Sequence, residues 1–313
     1  MKYAFVFPGQ GSQSVGMMKG FDSHPVVRET FEEGSDILGQ DLWKMITEGA
    51  PEELNLTVNT QPLMLAAGVA TYRAWNKVTQ SRPTVLAGHS LGEYTALVAS
   101  NAIAFHDALP LVRFRAESMQ RAVPEGAGGI AAILGLEDDA IRAVCQDAAE
   151  GGVLEAVNYN SPGQVVIAGD RAAVERGMAL AKERGAKRAL LLPMSVPSHC
   201  SLMKPAADAL GEYLKDVKIE VPQIPVLHNV DVSAHADPDE IRKALVAQLH
   251  NPVRWVETIR MMAQQGIGHV AECAPGKVLA GLNKRIESSQ IVLAMPDGAA
   301  LEDAATTLGG NHA

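Results

Sequence analysis

Hydrophobic residues along the chain fall into short continuous runs and longer segments of helical spacing. Residues 3–7 and 84–88 are apolar runs of strand length, and each leads into a turn that contains glycine. Apolar positions at helical spacing occupy residues 60–75, 91–100 and 107–123. Buried strands that alternate with helices in this way predict an α/β fold built on a parallel sheet.

The rhythm changes between residues 126 and 193, where six segments follow the order β-α-β-β-α-β. This is the ferredoxin-like pattern, and its length suits one small inserted subdomain. The predicted segments are strand 130–134, helix 137–149, strands 154–158 and 164–168, helix 171–184 and strand 188–192. We therefore expect residues 126–193 to interrupt a discontinuous domain made of residues 1–125 and 194–313.

After residue 193 the earlier alternation of strands and helices resumes. The predicted helices are 202–214, 238–249, 253–265 and 277–285, and the predicted strands are 226–228 and 267–272. Residues 309–313 are expected to be a frayed tail.

Composition and charge narrow the possible partners. The chain is 47% hydrophobic and 20% charged, as in an ordinary globular protein, and its formal charge of −9 disfavours nucleic acid or a membrane surface. The three cysteines form no C-x-x-C pair, so neither disulfides nor a metal site are expected, and a reducing cytoplasm fits best. No cofactor motif, signal peptide or membrane-spanning run is predicted.

The most specific motif is G-x-S-x-G at residues 88–92, placed between a predicted strand and a predicted helix. This context is typical of a nucleophile elbow, in which two glycines permit a sharp turn that exposes the serine hydroxyl. Ser90 is the candidate nucleophile, and the N–H of Leu91 is placed to bind developing negative charge.

A serine needs a general base, and the chain has nine histidines. His199 is the best placed, because it lies in the loop where the predicted insert returns to the main domain. No acidic partner is obvious for it, and an amide or a backbone carbonyl can orient a histidine instead. Arg115 lies in a largely apolar helix, where snorkelling to solvent is the simpler interpretation and binding a carboxylate the alternative.

Several motifs, taken together, resemble those of bacterial malonyl-CoA:acyl carrier protein transacylases. In order along the chain, they are FPGQGSQ at 7–13, GHSLGEY at 88–94, NYNSPGQ at 158–164, VPSH at 196–199 and QLHNPVRW at 248–255. The resemblance covers nearly the whole chain and implies an α/β-hydrolase-like core with a ferredoxin-like subdomain. One departure is His250, where the family pattern leads us to expect tyrosine.

The resemblance also implies roles for individual residues. Ser90 becomes the nucleophile, His199 its base and Gln248 the residue that orients the histidine, through either its side chain or its backbone. The N–H groups of Gln10 and Leu91 would form the oxyanion hole. Arg115 would bind the malonyl carboxylate, although Arg113 competes for this role on sequence alone.

The implied partners are malonyl-CoA and holo acyl carrier protein, in a ping-pong reaction of fatty acid synthesis by a cytoplasmic monomer. An acidic carrier protein needs a local positive surface, for which Lys187, Arg188, Lys284 and Arg285 are candidates, with ordinary solvated charge as the alternative. Three rival functions are an esterase or thioesterase, a transacylase that serves a polyketide pathway or accepts another extender unit, and a non-catalytic binding protein for the carrier.

Overall fold

The computed structural model describes residues 1–194 and 196–309, which form two β-sheets with helices packed against both. The strands are β1 (Tyr3–Phe7), β2 (Val85–Gly88), β3 (Gly128–Leu134), β4 (Leu154–Ser161), β5 (Gln164–Asp170), β6 (Arg188–Leu191), β7 (Val226–Leu227), β8 (His269–Glu272) and β9 (Ile291–Ala294). The α-helices are α1 (Pro25–Leu38), α2 (Leu42–Glu48), α3 (Pro51–Leu54), α4 (Thr57–Val78), α5 (Gly92–Ala99), α6 (Phe105–Ala122), α7 (Asp138–Ala149), α8 (Arg171–Glu183), α9 (Lys204–Leu214), α10 (Pro238–Gln248), α11 (Trp255–Gln264), α12 (Val278–Ile286) and α13 (Gly298–Gly309). A short 3-10 helix at Ser201–Met203 leads into α9. Among the described helices, none combines the length and apolarity needed to cross a membrane.

The larger sheet is parallel and has the strand order β7-β2-β1-β8-β9. Successive side chains of β1 point to opposite faces, so that Tyr3, Phe5 and Phe7 enter one apolar core while Ala4 and Val6 enter the other. Both faces are therefore covered. The strand order reverses between β1 and β8, and in such sheets ligands bind beyond the carboxyl ends of the strands near that reversal.

The smaller sheet is antiparallel and has the order β4-β5-β3-β6, which is the ferredoxin-like arrangement. It joins the main domain through β4, where the N–H of Tyr159 donates to the carbonyl of Val253 at 3.1 Å and the N–H of Val253 donates to Val157 at 2.9 Å. The predicted fold class is confirmed. The division of the chain at residues 126 and 193 stays a prediction.

Five elements were not predicted from the sequence: α1, α2, α3, β9 and α13. In α1 the buried positions Val27, Thr30, Phe31 and Gly34 have helical spacing, but a threonine and a glycine interrupt the apolar stripe. The prediction that the frayed tail begins at Gly309 was wrong, since Gly309 is the last residue of α13. The rest of that tail, residues 310–313, lies outside the described residues.

Candidate active site

The motif at residues 88–92 forms a tight turn between β2 and α5. Ser90 has φ of +52°, a conformation that residues other than glycine rarely adopt. The two glycines are required by close packing: a Cβ on Gly88 would lie 1.8 Å from the carbonyl carbon of Gly92, and a Cβ on Gly92 would lie 2.0 Å from the carbonyl oxygen of Phe7. The turn is therefore pressed against the end of β1, and this geometry is that of a nucleophile elbow.

Ser90 and His199 are in direct contact, because Ser90 Oγ lies 2.8 Å from His199 Nε2. The other ring nitrogen, His199 Nδ1, donates to the backbone carbonyl of Gln248 at 2.7 Å. With the proton on Nδ1, Nε2 is left as an acceptor facing the serine hydroxyl. The partner of the histidine is therefore a backbone carbonyl, one of the two possibilities that the sequence left open.

The environment of His199 keeps its ring neutral. The residue is only 2% exposed. Burial, and then the positive charge of Arg115, lower the pKa of His199 from 6.5 to about 3. A neutral imidazole at pH 7 can accept the proton of Ser90, which is what a general base requires.

Arg115 does not snorkel to solvent, because it is only 1% exposed, and the simpler interpretation of its sequence context was wrong. Its guanidinium donates to Gln61 Oε1 at 2.8 Å, to Gln248 Oε1 at 2.9 Å and to Ser90 Oγ at 3.2 Å. Among the described residues, no carboxylate forms an ion pair with it. Burial lowers the pKa of Arg115, and the charge of Glu93 acts in the opposite direction. A guanidinium beside the nucleophile with no anionic partner is suited to receive a substrate carboxylate.

The competing arginine is placed elsewhere. Arg113, two residues earlier in α6, donates to the side chain of Gln40. It does not line the cavity beside Ser90.

Gln10 and Leu91 line the same cavity as Ser90, His199 and Arg115, a space of about 150 Å³. The loop after β1 approaches the elbow closely, since a Cβ on Gly9 would lie 2.5 Å from the carbonyl oxygen of His89. Within residues 1–194 and 196–309, neither the N–H of Gln10 nor that of Leu91 donates a hydrogen bond. Two unused donors beside a nucleophile fit the expectation of an oxyanion hole.

The four basic residues suggested for carrier-protein contact are all exposed. Arg188 pairs with Leu134 across β6 and β3, and Leu134 pairs with Gln164 across β3 and β5. Gln164 Oε1 accepts a hydrogen bond from Arg285 at 2.9 Å. Two strand spacings, about 10 Å, separate Arg188 from Gln164. The structure thus brings the two pairs to one surface, which we call the basic edge (Lys187, Arg188, Lys284 and Arg285).

Three polar residues of the site were missed in the sequence. Gln61 in α4 holds Arg115, while Glu93 in α5 and Asn229 after β7 hold the elbow and Gln248. Asn229 had a usable signal, because it is a polar residue directly after the predicted strand 226–228, at the end of β7. Glu93 had another signal, as the only acidic residue in a short apolar helix that follows the motif.

His250, the departure from the family pattern, contacts Asn251 and does not line the cavity.

Comparison with known proteins identifies the family. The model of the acyl transferase domain family matches residues 4–301. The malonyl CoA-acyl carrier protein transacylase of Haemophilus influenzae is 58% identical over 91% of this chain and 92% of its own.

Solved structures agree with this assignment. The acyl-carrier-protein S-malonyltransferase of Burkholderia pseudomallei superposes with a TM-score of 0.96 at 59% identity, covering 97% of this chain and 99% of its own. A malonyl-transacylase in complex with a type II PKS acyl-carrier protein gives a TM-score of 0.96 at 50% identity, with the same coverage. The chain therefore belongs to the malonyl-CoA:acyl carrier protein transacylase family of acyltransferases.

Proposed function

We propose that the chain transfers the malonyl group from malonyl-CoA to the phosphopantetheine thiol of holo acyl carrier protein, and so supplies extender units for fatty acid synthesis. The transfer runs through a malonyl ester of Ser90 with ping-pong kinetics. The observation that carries this proposal is the contact of Ser90 Oγ with two groups at once, His199 Nε2 at 2.8 Å and the guanidinium of Arg115 at 3.2 Å. His199 supplies the general base, and Arg115 supplies the binding site for the malonyl carboxylate.

In the first half-reaction, Ser90 Oγ attacks the thioester carbonyl while its proton passes to His199 Nε2. The negative charge that develops on the carbonyl oxygen is accepted by the N–H groups of Gln10 and Leu91. When the intermediate collapses, the C–S bond breaks and His199 returns the proton to the sulfur of CoA. The carbonyl of Gln248 holds the ring in the tautomer that both steps need.

In the second half-reaction, the thiol of the carrier protein's phosphopantetheine takes the place of CoA. His199 Nε2 accepts the thiol proton as the sulfur attacks the ester carbonyl. The C–O bond to Ser90 then breaks, and the proton returns to Ser90 Oγ. One base thus serves both directions of proton transfer.

Selection of malonyl over acetyl is assigned to Arg115. Its guanidinium is buried, and an acetyl group would leave it without the anion that the malonyl carboxylate provides. Removing one partner of a buried charge pair costs about 3–5 kcal/mol, which is enough for strong selection.

The carrier protein is proposed to contact the basic edge. Helix α12 connects this surface to the cavity, because Val278 at its start lines the cavity and Arg285 lies near its end. Seven helical residues span about 10 Å, so a partner bound at the basic edge is within a short distance of the cavity mouth. The cytoplasmic location and the monomeric state predicted from the sequence belong to this proposal and stay predictions.

The test is intact-protein mass spectrometry after brief mixing with malonyl-CoA or acetyl-CoA, followed by holo acyl carrier protein. We expect a malonyl adduct on Ser90 that the carrier protein removes, and no adduct in Ser90→Ala. Ser12→Ala, which changes another hydroxyl of the same cavity, is the matched control and should still be acylated.

The same experiment separates the rival functions. An adduct that water removes at the same rate without the carrier protein would indicate a thioesterase. Comparing a fatty acid carrier protein with a type II polyketide carrier protein distinguishes the two pathways. No adduct in the wild type would overturn the proposal and favour a binding role.

A further inference from the structure

Glu93, the residue directly after the G-x-S-x-G motif, is a fully buried acid in the first turn of α5. One oxygen, Oε2, accepts hydrogen bonds from the backbone N–H of Asn229 at 2.9 Å and from Gln248 Nε2 at 3.0 Å. The other, Oε1, lies 2.7 Å from His228 Nδ1. Buried acids are rare and need partners, and the partners here lead to the active site.

The first connection passes through the side-chain amide of Gln248. Its Nε2 faces acceptors only, namely the carbonyl of Ser90 at 2.9 Å, Glu93 Oε2 at 3.0 Å and, more distantly, Asn229 Oδ1 at 3.4 Å. Its Oε1 consequently faces the guanidinium of Arg115 at 2.9 Å. A rotated amide would place its NH₂ group against the guanidinium and its oxygen against these acceptors, so the acceptors around Nε2, with Glu93 Oε2 as the only charged one, determine which atom Arg115 meets.

The second connection passes through Asn229. Its Oδ1 accepts the N–H of Ser90 at 2.8 Å, and its Nδ2 donates to the carbonyl of Gly88 at 2.6 Å. The side chain of Asn229 therefore holds the elbow on both sides of His89. Glu93 in turn accepts the hydrogen bond of the Asn229 backbone N–H. It therefore stabilises the strained backbone conformation of Ser90 indirectly, through Asn229.

We propose that Glu93 is a positioning residue that, by accepting hydrogen bonds from Gln248 and Asn229, aims the guanidinium of Arg115 at the substrate carboxylate and holds the backbone of Ser90. This inference rests on the proposed function, since it concerns malonyl recognition. Glu93 touches neither substrate nor reacting atoms. Its effect on malonyl acylation is larger than its effect on acetyl acylation, because only malonyl depends on Arg115.

The test compares Glu93→Gln with Glu93→Met, two side chains of similar length. In Glu93→Gln the carbonyl oxygen can take the place of Oε2, while its NH₂ group faces His228 Nδ1. His228 can adopt the complementary tautomer, because its Nε2 has no hydrogen-bond partner among the described residues. Glu93→Met fills the same space without an acceptor.

The measurement is the single-turnover rate of acyl-enzyme formation with malonyl-CoA and with acetyl-CoA, together with the melting temperature of each variant. For Glu93→Met we expect malonyl acylation to fall about 10- to 100-fold, the range for losing a hydrogen bond to a charged group, and acetyl acylation to fall less. For Glu93→Gln we expect the malonyl-to-acetyl ratio of the wild type. Glu272→Gln, at another fully buried glutamate, is the control for nonspecific effects and should leave that ratio unchanged.

Two results would overturn the proposal. If Glu93→Met keeps the wild-type ratio, Glu93 does not position Arg115. If Glu93→Gln loses the ratio as completely as Glu93→Met, negative charge rather than hydrogen-bond acceptance is what matters. Failure of the proposed function is a separate result, because it would appear as the absence of a malonyl adduct in the wild type.

Discussion

At the scale of single residues, the two groups proposed for proton transfer share an uncommon backbone conformation. Ser90 has φ of +52° and His199 has φ of +67°. Each is held by a hydrogen bond from its own N–H, to Asn229 Oδ1 at 2.8 Å and to the carbonyl of Leu249 at 3.0 Å, respectively. Such strain persists only where surrounding contacts fix it, and here those contacts set the 2.8 Å approach of hydroxyl and imidazole.

The low pKa of His199 predicts how acylation depends on pH. Burial disfavours the imidazolium, and the pKa falls from 6.5 to about 3, so the ring stays neutral and basic through the whole range from pH 8 to pH 5. We expect the single-turnover rate of acylation by malonyl-CoA to change little over this range in stopped-flow measurements. A loss of rate centred near pH 6.5 would contradict this assignment, because it would indicate an ordinary solvated histidine.

The position of Arg115 predicts a selective loss. Arg115→Ala should lower malonyl acylation by about 100-fold or more, since the substrate carboxylate would be left without its partner in a buried site. Acetyl acylation should fall much less. Arg113→Ala, two residues away in the same helix and bonded to Gln40, is the control and should preserve selectivity. An equal loss for both substrates in Arg115→Ala would rule out the carboxylate role.

The sequence predicts these residues to different degrees, for physical reasons. Ser90 was predicted from its motif alone, because close packing requires both glycines of the turn. His199 was the best-placed base from its loop position but one candidate among nine histidines, and Arg115 was assigned to the carboxylate only through the family resemblance, since no local pattern shows that either residue meets Ser90. Glu93 and Asn229 were missed because their importance lies in hydrogen bonds across 136 positions of chain.

At the scale of secondary-structure elements, the site is made where strands of the parallel sheet end. The loop after β1 provides Gln10, the turn after β2 provides Ser90, and the segment after β7 provides Asn229. Parallel strands end at the same edge of a sheet, so these distant parts of the chain meet there. Strands β1 and β2 were predicted because they are short, buried and apolar. The four-residue strand β9 is as apolar in sequence but was missed; it lies at the edge of the sheet, and its residues are exposed or only partly buried.

Packing of the elbow predicts that Gly92 cannot carry a side chain. Gly92→Ala would place a methyl group 2.0 Å from the carbonyl oxygen of Phe7, so α5 must shift away from β1. We expect a loss of stability of about 1–3 kcal/mol, or more, and loss of the Ser90 adduct. The control is Gly281→Ala in α12, where an added Cβ would have no atom within 4 Å apart from its chain neighbours and the backbone of its own helix, and alanine should stabilise the helix by about 0.5–1 kcal/mol. Thermal denaturation and mass spectrometry measure both effects, and a normal adduct in Gly92→Ala would show that the turn tolerates a side chain.

The basic edge predicts a change in affinity for one substrate only. Reversing charge with Lys187→Glu and Arg188→Glu should raise the KM for holo acyl carrier protein and leave the KM for malonyl-CoA unchanged, with a larger effect at low salt. The control is the pair Lys77→Glu and Arg82→Glu. Both residues are exposed and precede β2, so they lie toward the amino ends of the parallel strands, whereas Ser90 and the cavity lie at the carboxyl ends. Equal effects of the two pairs would mean that net charge, rather than this surface, governs binding.

At the scale of the whole molecule, the cavity is lined by both sheets and their connections. The main domain contributes Ser90, Arg115 and His199, while Asn158 and Val166 come from the antiparallel sheet. The subdomain therefore lines part of the site. The ferredoxin-like pattern could be predicted from local spacing, but its docking through β4 depends on contacts with Val253 that no local pattern reveals.

A buried acid at the end of β8 predicts how the free energy of unfolding of the whole protein depends on pH. Glu272, at the end of β8, is fully buried, and its Oε2 accepts the N–H of Ala280 at 2.7 Å. Oε1 has no hydrogen-bond partner among the described residues. Burial raises the pKa of Glu272 from 4.5 to about 7, so the folded protein holds a proton that the unfolded chain releases. This contribution to stability is complete below pH 4.5 and is lost as pH rises through 7.

Glu272→Gln should remove this dependence. The free energy of unfolding of the variant minus that of the wild type should increase from pH 5 to pH 8, by up to about 3 kcal/mol, in urea denaturation at several pH values. Taking the difference isolates Glu272, because His199 contributes in the opposite direction between pH 3 and 6.5 and cancels. Glu29→Gln, at an exposed position, serves as the control for the loss of one glutamate. If the difference for Glu272→Gln stays constant from pH 5 to pH 8, Glu272 ionises at its ordinary pH and the proton is not held by burial.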